Sequence, residues 1–216
     1  MEIILFLVIL IFSVVVHEVS HGLAANALGD PTARMMGRLT LNPIVHIDPI
    51  GSIIVPLMLV ISAQLGAPLM LFGWAKPVPY NPYNLSNQQW GPAMVGLAGP
   101  AANFAIAIVF GIALRFLPLS SLGQGTPLDA VSVVFSVIVY LNLVLGVFNL
   151  MPIPPLDGSK LLFAIPGLPW QAKIFMERYG LILVVMFIVL GFSAAIFPIV
   201  SFLFQIITGH PINLFF

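Results

Sequence analysis

The chain has 216 residues, of which 60% are hydrophobic and only 6% charged, with a mean hydropathy of +1.13. This composition excludes an ordinary soluble domain and fits a protein with several apolar runs long enough to cross a bilayer. Seven basic and seven acidic residues cancel, so nothing points to nucleic acid, and the lack of cysteine excludes disulfides and thiolate metal sites.

The first apolar run predicts a helix from about Glu2 to Leu28. Ile3 to Val16 carry no charge, Gly29 suits a helix C-terminus and Pro31 forbids continuation. The start lacks the basic segment and small-residue cleavage site of a signal peptide, so this helix is expected to be retained. Towards its C-terminal end stands His17-Glu18-Val19-Ser20-His21, an H-E-x-x-H motif. Residues four apart share a helix face, so both imidazoles can reach one metal ion, with Glu18 beside it to move protons. Ionisable groups in a membrane helix are costly unless something occupies them. The plainer reading, polar glue between helices, is usually supplied by Ser, Thr, Asn or Gln.

Asp30 to Pro49 reads as a loop carrying Arg34, Arg38, His46 and Asp48. Ile50 to Phe72 is apolar and long enough to span, but Pro56, Gly66 and Pro68 break it. In Gly73 to Tyr80 the alternating Pro77 and Pro79 deny helix and suit a short edge strand or β-hairpin. A further apolar helix is predicted over about Gly91 to Leu117; Gly96, Gly99, Ala102 and Gly111 allow close helix approach, and Asn103 is its one polar side chain before Arg115. The next runs from about Ala130 to Leu150, with Asn142 and Asn149 on one face.

Pro152, Pro154 and Pro155 then end regular helix, which places Asp157 on irregular backbone. Such backbone is tolerated at membrane depth only where protein buries it or it lines a cavity. Lys160, Lys173, Glu177 and Arg178 mark a short interfacial stretch. The last helix is predicted over about Tyr179 to Ile207, interrupted near Pro198. The expected fold is an all-α polytopic membrane protein: one membrane-embedded domain over 1–216, with a core over 1–162 and a C-terminal helix over 179–207.

A catalytic zinc site needs three protein ligands and an open position for water. Beyond His17 and His21, the candidates are Asp30, His46, Asp48, Asp157 and His210. Asp157 is preferred, because a Pro-rich break holds it in place and Gly158 allows close backbone approach. Its ordinary alternative is a cap on a helix starting near Ser159.

These segments together resemble the site-2 protease family of intramembrane zinc metalloproteases. The resemblance rests on H-E-x-x-H in the first helix, Gly96-Leu97-Ala98-Gly99-Pro100-Ala101-Ala102-Asn103, and Phe148-Asn149-Leu150-Met151-Pro152-Ile153-Pro154-Pro155-Leu156-Asp157-Gly158, in that order. It covers about Met1 to Leu162 and is closest to the short prokaryotic type, without a PDZ or CBS domain. It implies one Zn2+ per chain bound by His17, His21 and Asp157, with Glu18 as catalytic base. It also implies that Asn149 positions or polarises the substrate, with Asn103 assisting. The implied reaction is hydrolysis of a peptide bond within or next to a transmembrane segment of another membrane protein, that is, regulated intramembrane proteolysis. A metal-ion transporter and an inactive partner-binding relative are the competing readings.

If His17, His21 and Asp157 share one ion, the helices before them run parallel and only one full crossing separates them. Residues 50–72 are then re-entrant or cross twice, and four full spans with one re-entrant segment are expected. In the re-entrant arrangement Arg34, Arg38, Lys76, Lys160, Lys173 and Arg178 fall on one side and only Arg115 on the other. The positive-inside rule makes the crowded side cytoplasmic, with both termini outside. Ser20, Asn103, Asn142 and Asn149 are expected to line a water cavity from that side, and the 73–80 edge to pair with an unwound substrate.

Overall fold

A computed structural model describes residues 2–54, 58, 61, 75–117 and 127–212. The described part is helical. Helix α1 spans Glu2–Ala27 and α2 Thr32–Met35. Short 3-10 turns cover Pro43–His46 and Pro82–Asn84, and a π-helical turn covers Pro49–Ile54. Then come α3 (Gly91–Arg115), α4 (Pro127–Asn149), α5 (Gly158–Ala164), α6 (Trp170–Leu190) and α7 (Phe192–Thr208).

Among the described residues, three helices are long and apolar enough to cross a membrane: Ile4–Ala27, Gly91–Arg115 and Leu128–Asn149. Helix α1 stops where Gly29 adopts φ 106°, a conformation that glycine alone takes without strain. The Gly29 N–H then bonds Asn26 O and the Asp30 N–H bonds Ala25 O, which closes off the last turn.

Side-chain pairings give the helix directions. His21, His17 and Ser13 of α1 meet Val95 and Asn103 of α3 in reverse order, so α1 and α3 are antiparallel. Gly111 faces Val139 and Asn103 bonds Asn142, so α3 and α4 are antiparallel too. Helices α1 and α4 therefore run parallel, and the chain from 28 to 90 leaves and returns at one face. The expected re-entrant segment 50–72 lies largely outside the described residues. A core of Ala107, Leu114, Val139, Leu143, Val200 and Phe204 joins α3, α4 and α7.

Two expectations are corrected. The C-terminal helix begins at Trp170 and divides at Gly191, not near Pro198; the two halves bend by 73°. Gly191 has a non-helical backbone (φ −141°, ψ −8°), while Pro198 is accommodated inside α7. The described residues thus hold three single-helix spans plus one bent pair. The expected edge strand is also not seen: among the described residues there is no strand, and 75–80 is irregular. Pro77 and Pro79 remove donors that a ladder needs. The remaining groups are already engaged: Lys76 N–H bonds His46 O, and the buried Arg38 guanidinium donates to the carbonyls of Val45, Lys76 and Pro77.

Asp30 ties the two ends of this excursion together. Its buried carboxylate accepts from Thr32 N–H and Oγ, from Asn81 N–H at 2.6 Å and from Asn84 Nδ2 at 2.9 Å. Burial alone would raise its pKa; the bonds from Thr32, Asn84 and Asn81 outweigh it and hold the carboxyl below its ordinary value. A depressed folded pKa gives stability that is complete above the unfolded value of about 3.9 and is lost as pH falls through the folded one. Asp30→Ala is expected to lower stability by about 1–3 kcal/mol at neutral pH, by orphaning buried donors. The wild-type advantage should shrink on acidification below about pH 4, as read by thermal unfolding in detergent; an advantage that grew with acid would contradict this.

Candidate metal centre

His17 and His21 project from successive turns of α1, both nearly buried, their rings edge to face at 4.6 Å between centroids. Each ring nitrogen Nδ1 meets an oxygen. His17 Nδ1–H donates to Asn103 Oδ1 at 2.6 Å, and His21 Nδ1–H donates to the Val95 carbonyl at 2.7 Å. A neutral imidazole that donates through Nδ1 keeps a lone pair on Nε2. Both Nε2 atoms turn to the same point, 3.0 Å apart.

Asp157 reaches that point from the turn that follows α4, beside Gly96 of α3. Gly158 makes this possible: a Cβ there would sit 2.1 Å from the Leu150 carbonyl oxygen, so only glycine lets the chain fold back on the end of α4. Asp157 does not cap α5 with its side chain. Instead its Oδ2 lies 3.0 Å from His17 Nε2 and 3.1 Å from His21 Nε2. Its Oδ1 accepts from Lys160 Nζ at 2.8 Å.

Three acceptor atoms within 3.0–3.1 Å of one another repel unless a cation lies between them. Four-coordinate zinc with bonds of about 2.0–2.1 Å has ligand–ligand edges of roughly 3.3 Å. The observed triangle is slightly tighter and fits such an ion. The floor is Gly99 of α3, where a Cβ would sit 2.5 Å from His21 Nε2 and 2.6 Å from His17 Cε1. Any larger residue would enter the space that the two rings and their ion need.

Glu18 also lies close: a carboxylate oxygen, His17 and His21 offer atoms within 4.8 Å of one another. Its Oε2, however, accepts the Val78 N–H at 3.0 Å. The 75–80 segment, expected as a strand edge, thus serves to orient Glu18 beside the triangle.

The other expected residues divide. Asn103 is in the site, fully buried, and passes the contact on: its Nδ2 donates to Asn142 Oδ1 at 2.8 Å, and Asn142 Nδ2 donates to Ser13 Oγ at 2.9 Å. Asn149 Nδ2 donates to Leu145 O, one turn back on its own helix. Ser20 likewise bonds Val16 O. Asn103 and Asn142, two of the residues expected to line a water cavity, form a buried hydrogen-bonded chain. Asp30, His46 and Asp48 bond to other backbone groups of the loop region. The sequence reading missed Ser13, the Val95 carbonyl, the Val78 N–H and Lys160; only Lys160, three residues after Asp157, left a signal in the spacing.

Two imidazoles, a carboxylate and a neighbouring glutamate between membrane helices define a metallopeptidase type of site. Residues 5–193 match Peptidase family M50. The chain belongs to that family, the site-2 protease family of zinc metallopeptidases. It is 36% identical over 200 residues to YwhC of Bacillus subtilis, a protein bearing the name zinc metalloprotease, covering 89% of this chain and 84% of that one. It is 30% identical over 153 residues to Rip2 of Mycolicibacterium smegmatis, which carries the same description, covering 68% of this chain and 52% of that one. No solved structure matches. Zinc is thus the cofactor of the family, and the residues present fit it.

Asn103→Leu removes the acceptor for His17 Nδ1 and the donor to Asn142 Oδ1. It is expected to weaken zinc binding about 10–100-fold. Gly99→Ala should weaken it at least as much by crowding both rings. Chelator competition in detergent measures both; wild-type affinity in both variants would contradict this geometry.

Proposed function

We propose that this protein is an intramembrane zinc peptidase that hydrolyses a peptide bond within or beside a membrane segment of another protein. In this reading His17, His21 and Asp157 hold the zinc and Glu18 is the general base. The observation that carries it is the convergence of Oδ2 and two Nε2 atoms at 3.0–3.1 Å, contributed by segments 140 residues apart in the chain.

Zinc held there would polarise a scissile carbonyl and make its bound water acidic enough to be activated near neutral pH. The side chains do the rest. Glu18, held through Oε2 by Val78 N–H, keeps Oε1 to take the proton from the attacking water and pass it to the leaving amine. Asn103 and the Val95 carbonyl keep each imidazole in the tautomer that presents Nε2. Burial by α1, α3 and α4 keeps bulk water away and strengthens each of these contacts. A helical substrate must unwind to present its carbonyl, since its own ladder hides it. The irregular 75–80 segment beside Glu18 is where the unwound stretch would pass.

The site face is proposed to be cytoplasmic. Arg34, Arg38, Lys76, Lys160 and Lys173 belong to elements at that face, while Arg115 ends α3 at the other and donates to Ile206 O near the end of α7.

Glu18→Gln is expected to retain one zinc per chain and lose activity by about 10²–10⁴-fold, as general-base removal does. Asp157→Ala should lower zinc occupancy itself. Cleavage of a reconstituted single-span substrate, with zinc determined on the same samples, checks both; turnover by Glu18→Gln would end this mechanism. For orientation, the chain lacks cysteine, so single cysteines can be placed at exposed Met36, Tyr83 and Phe116. In intact cells an impermeant thiol reagent should label only the Phe116 position; labelling at Tyr83 would reverse the orientation.

A further inference from the structure

Lys160 carries more than an interfacial charge. Its Nζ donates to Asp157 Oδ1 at 2.8 Å, while Asp157 Oδ2 faces the two imidazoles. Its stem packs on α3 at Gly96, where a Cβ would lie 2.9 Å from Lys160 Cδ and 3.0 Å from the Asp157 carbonyl oxygen. Its ammonium also stands 5.7 Å from the centroid of the Tyr80 ring. The side chain is thus fixed by its own helix, by α3 and by the segment that orients Glu18.

An ordinary pair three residues apart on a helix is solvated and worth a few tenths of a kcal/mol. This one is different, because the carboxylate side chain is 9% exposed and the lysine side chain 28%. Lys160 also lines, with Tyr80, Pro154 and Pro155, a cavity of about 760 Å³. It therefore stands between that cavity and Asp157.

We infer that Lys160 is a positioning residue that engages one oxygen of Asp157 so that the carboxylate offers the metal only the other. This rests on the reading of Asp157 as a zinc ligand. A carboxylate free at both oxygens can chelate, which would fill the position that a catalytic zinc keeps for water. With Oδ1 committed to an ammonium, chelation would break a partly buried ion pair. Lys160 also compensates the negative charge of Asp157 in an apolar surrounding.

The test uses the full chain in detergent, as wild type, Lys160→Met, Lys160→Arg and Asp157→Ala. Zinc affinity is read by chelator competition, and coordination number by the visible absorption of the cobalt-substituted protein. Lys160→Met should weaken zinc about 10–100-fold, as loss of a partner to a metal ligand does. It should also reduce the cobalt absorption as coordination rises above four; Lys160→Arg should restore both. Wild-type affinity and spectrum in Lys160→Met would overturn the inference. Should Lys160→Met fail to fold, Lys160→Gln is read by the same two outcomes. Loss of zinc in Asp157→Ala with wild-type behaviour in the Lys160 variants sinks only the role of Lys160. Unchanged zinc in Asp157→Ala sinks the ligand reading itself.

Discussion

The structure is built on one constraint: two imidazoles and a carboxylate held together inside an apolar bundle. Polar groups at that depth must all be satisfied, since no bulk solvent is at hand to do it. Each has its partner. The Nδ1 atoms go to Asn103 and Val95, the outer oxygen of Asp157 goes to Lys160, and the three remaining lone-pair atoms turn to a common point. The helices are arranged to deliver this. Helices α1 and α4 run parallel so that both end at the site, and α3 runs back between them with glycine wherever the site needs its backbone close.

The polar chain from His17 through Asn103 and Asn142 to Ser13 links three spanning helices. Such bonds average only about 0.6 kcal/mol between membrane helices, so they are a weak account of stability. They are a better account of precision. Shifting α3 along α1 by one turn would break the contacts of Asn103 and Val95 together, and both rings would lose the orientation that points Nε2 inward. The same logic holds on the other side of Glu18. The Val78 N–H that reaches it belongs to a segment flanked by two anchors: Arg38 on the carbonyls of Lys76 and Pro77, and Asp30 on the Asn81 N–H.

Much of this was legible in the residues. H-E-x-x-H in an apolar run, and an aspartate after three prolines, announced the side chains that converge, because charged groups have few reasons to be there. Direction was legible too, since His17, His21 and Asp157 can meet only if their helices run parallel. Asn149 and Asn142 share a face and each donates to the carbonyl one turn back, while Asn142 also meets Asn103 and Ser13, a difference set by which neighbours lie opposite, not by periodicity. Two departures from the expected fold have physical causes. The prolines at 77 and 79 read as an edge strand, but edges need a partner, and here a guanidinium took the carbonyls. Pro198 reads as the break in the last helix, yet it lies within α7, and the helical backbone is interrupted at Gly191 instead.

The central claim is that the ion's protein ligands are two imidazole nitrogens and one carboxylate oxygen. Zinc-edge X-ray absorption on the purified chain tests it most directly. The account gives four nitrogen or oxygen neighbours at about 2.0–2.1 Å with the outer-shell signature of two histidines. A shell with one histidine or none, or a zinc that survives unchanged when His17 and His21 are both replaced by alanine, would contradict it.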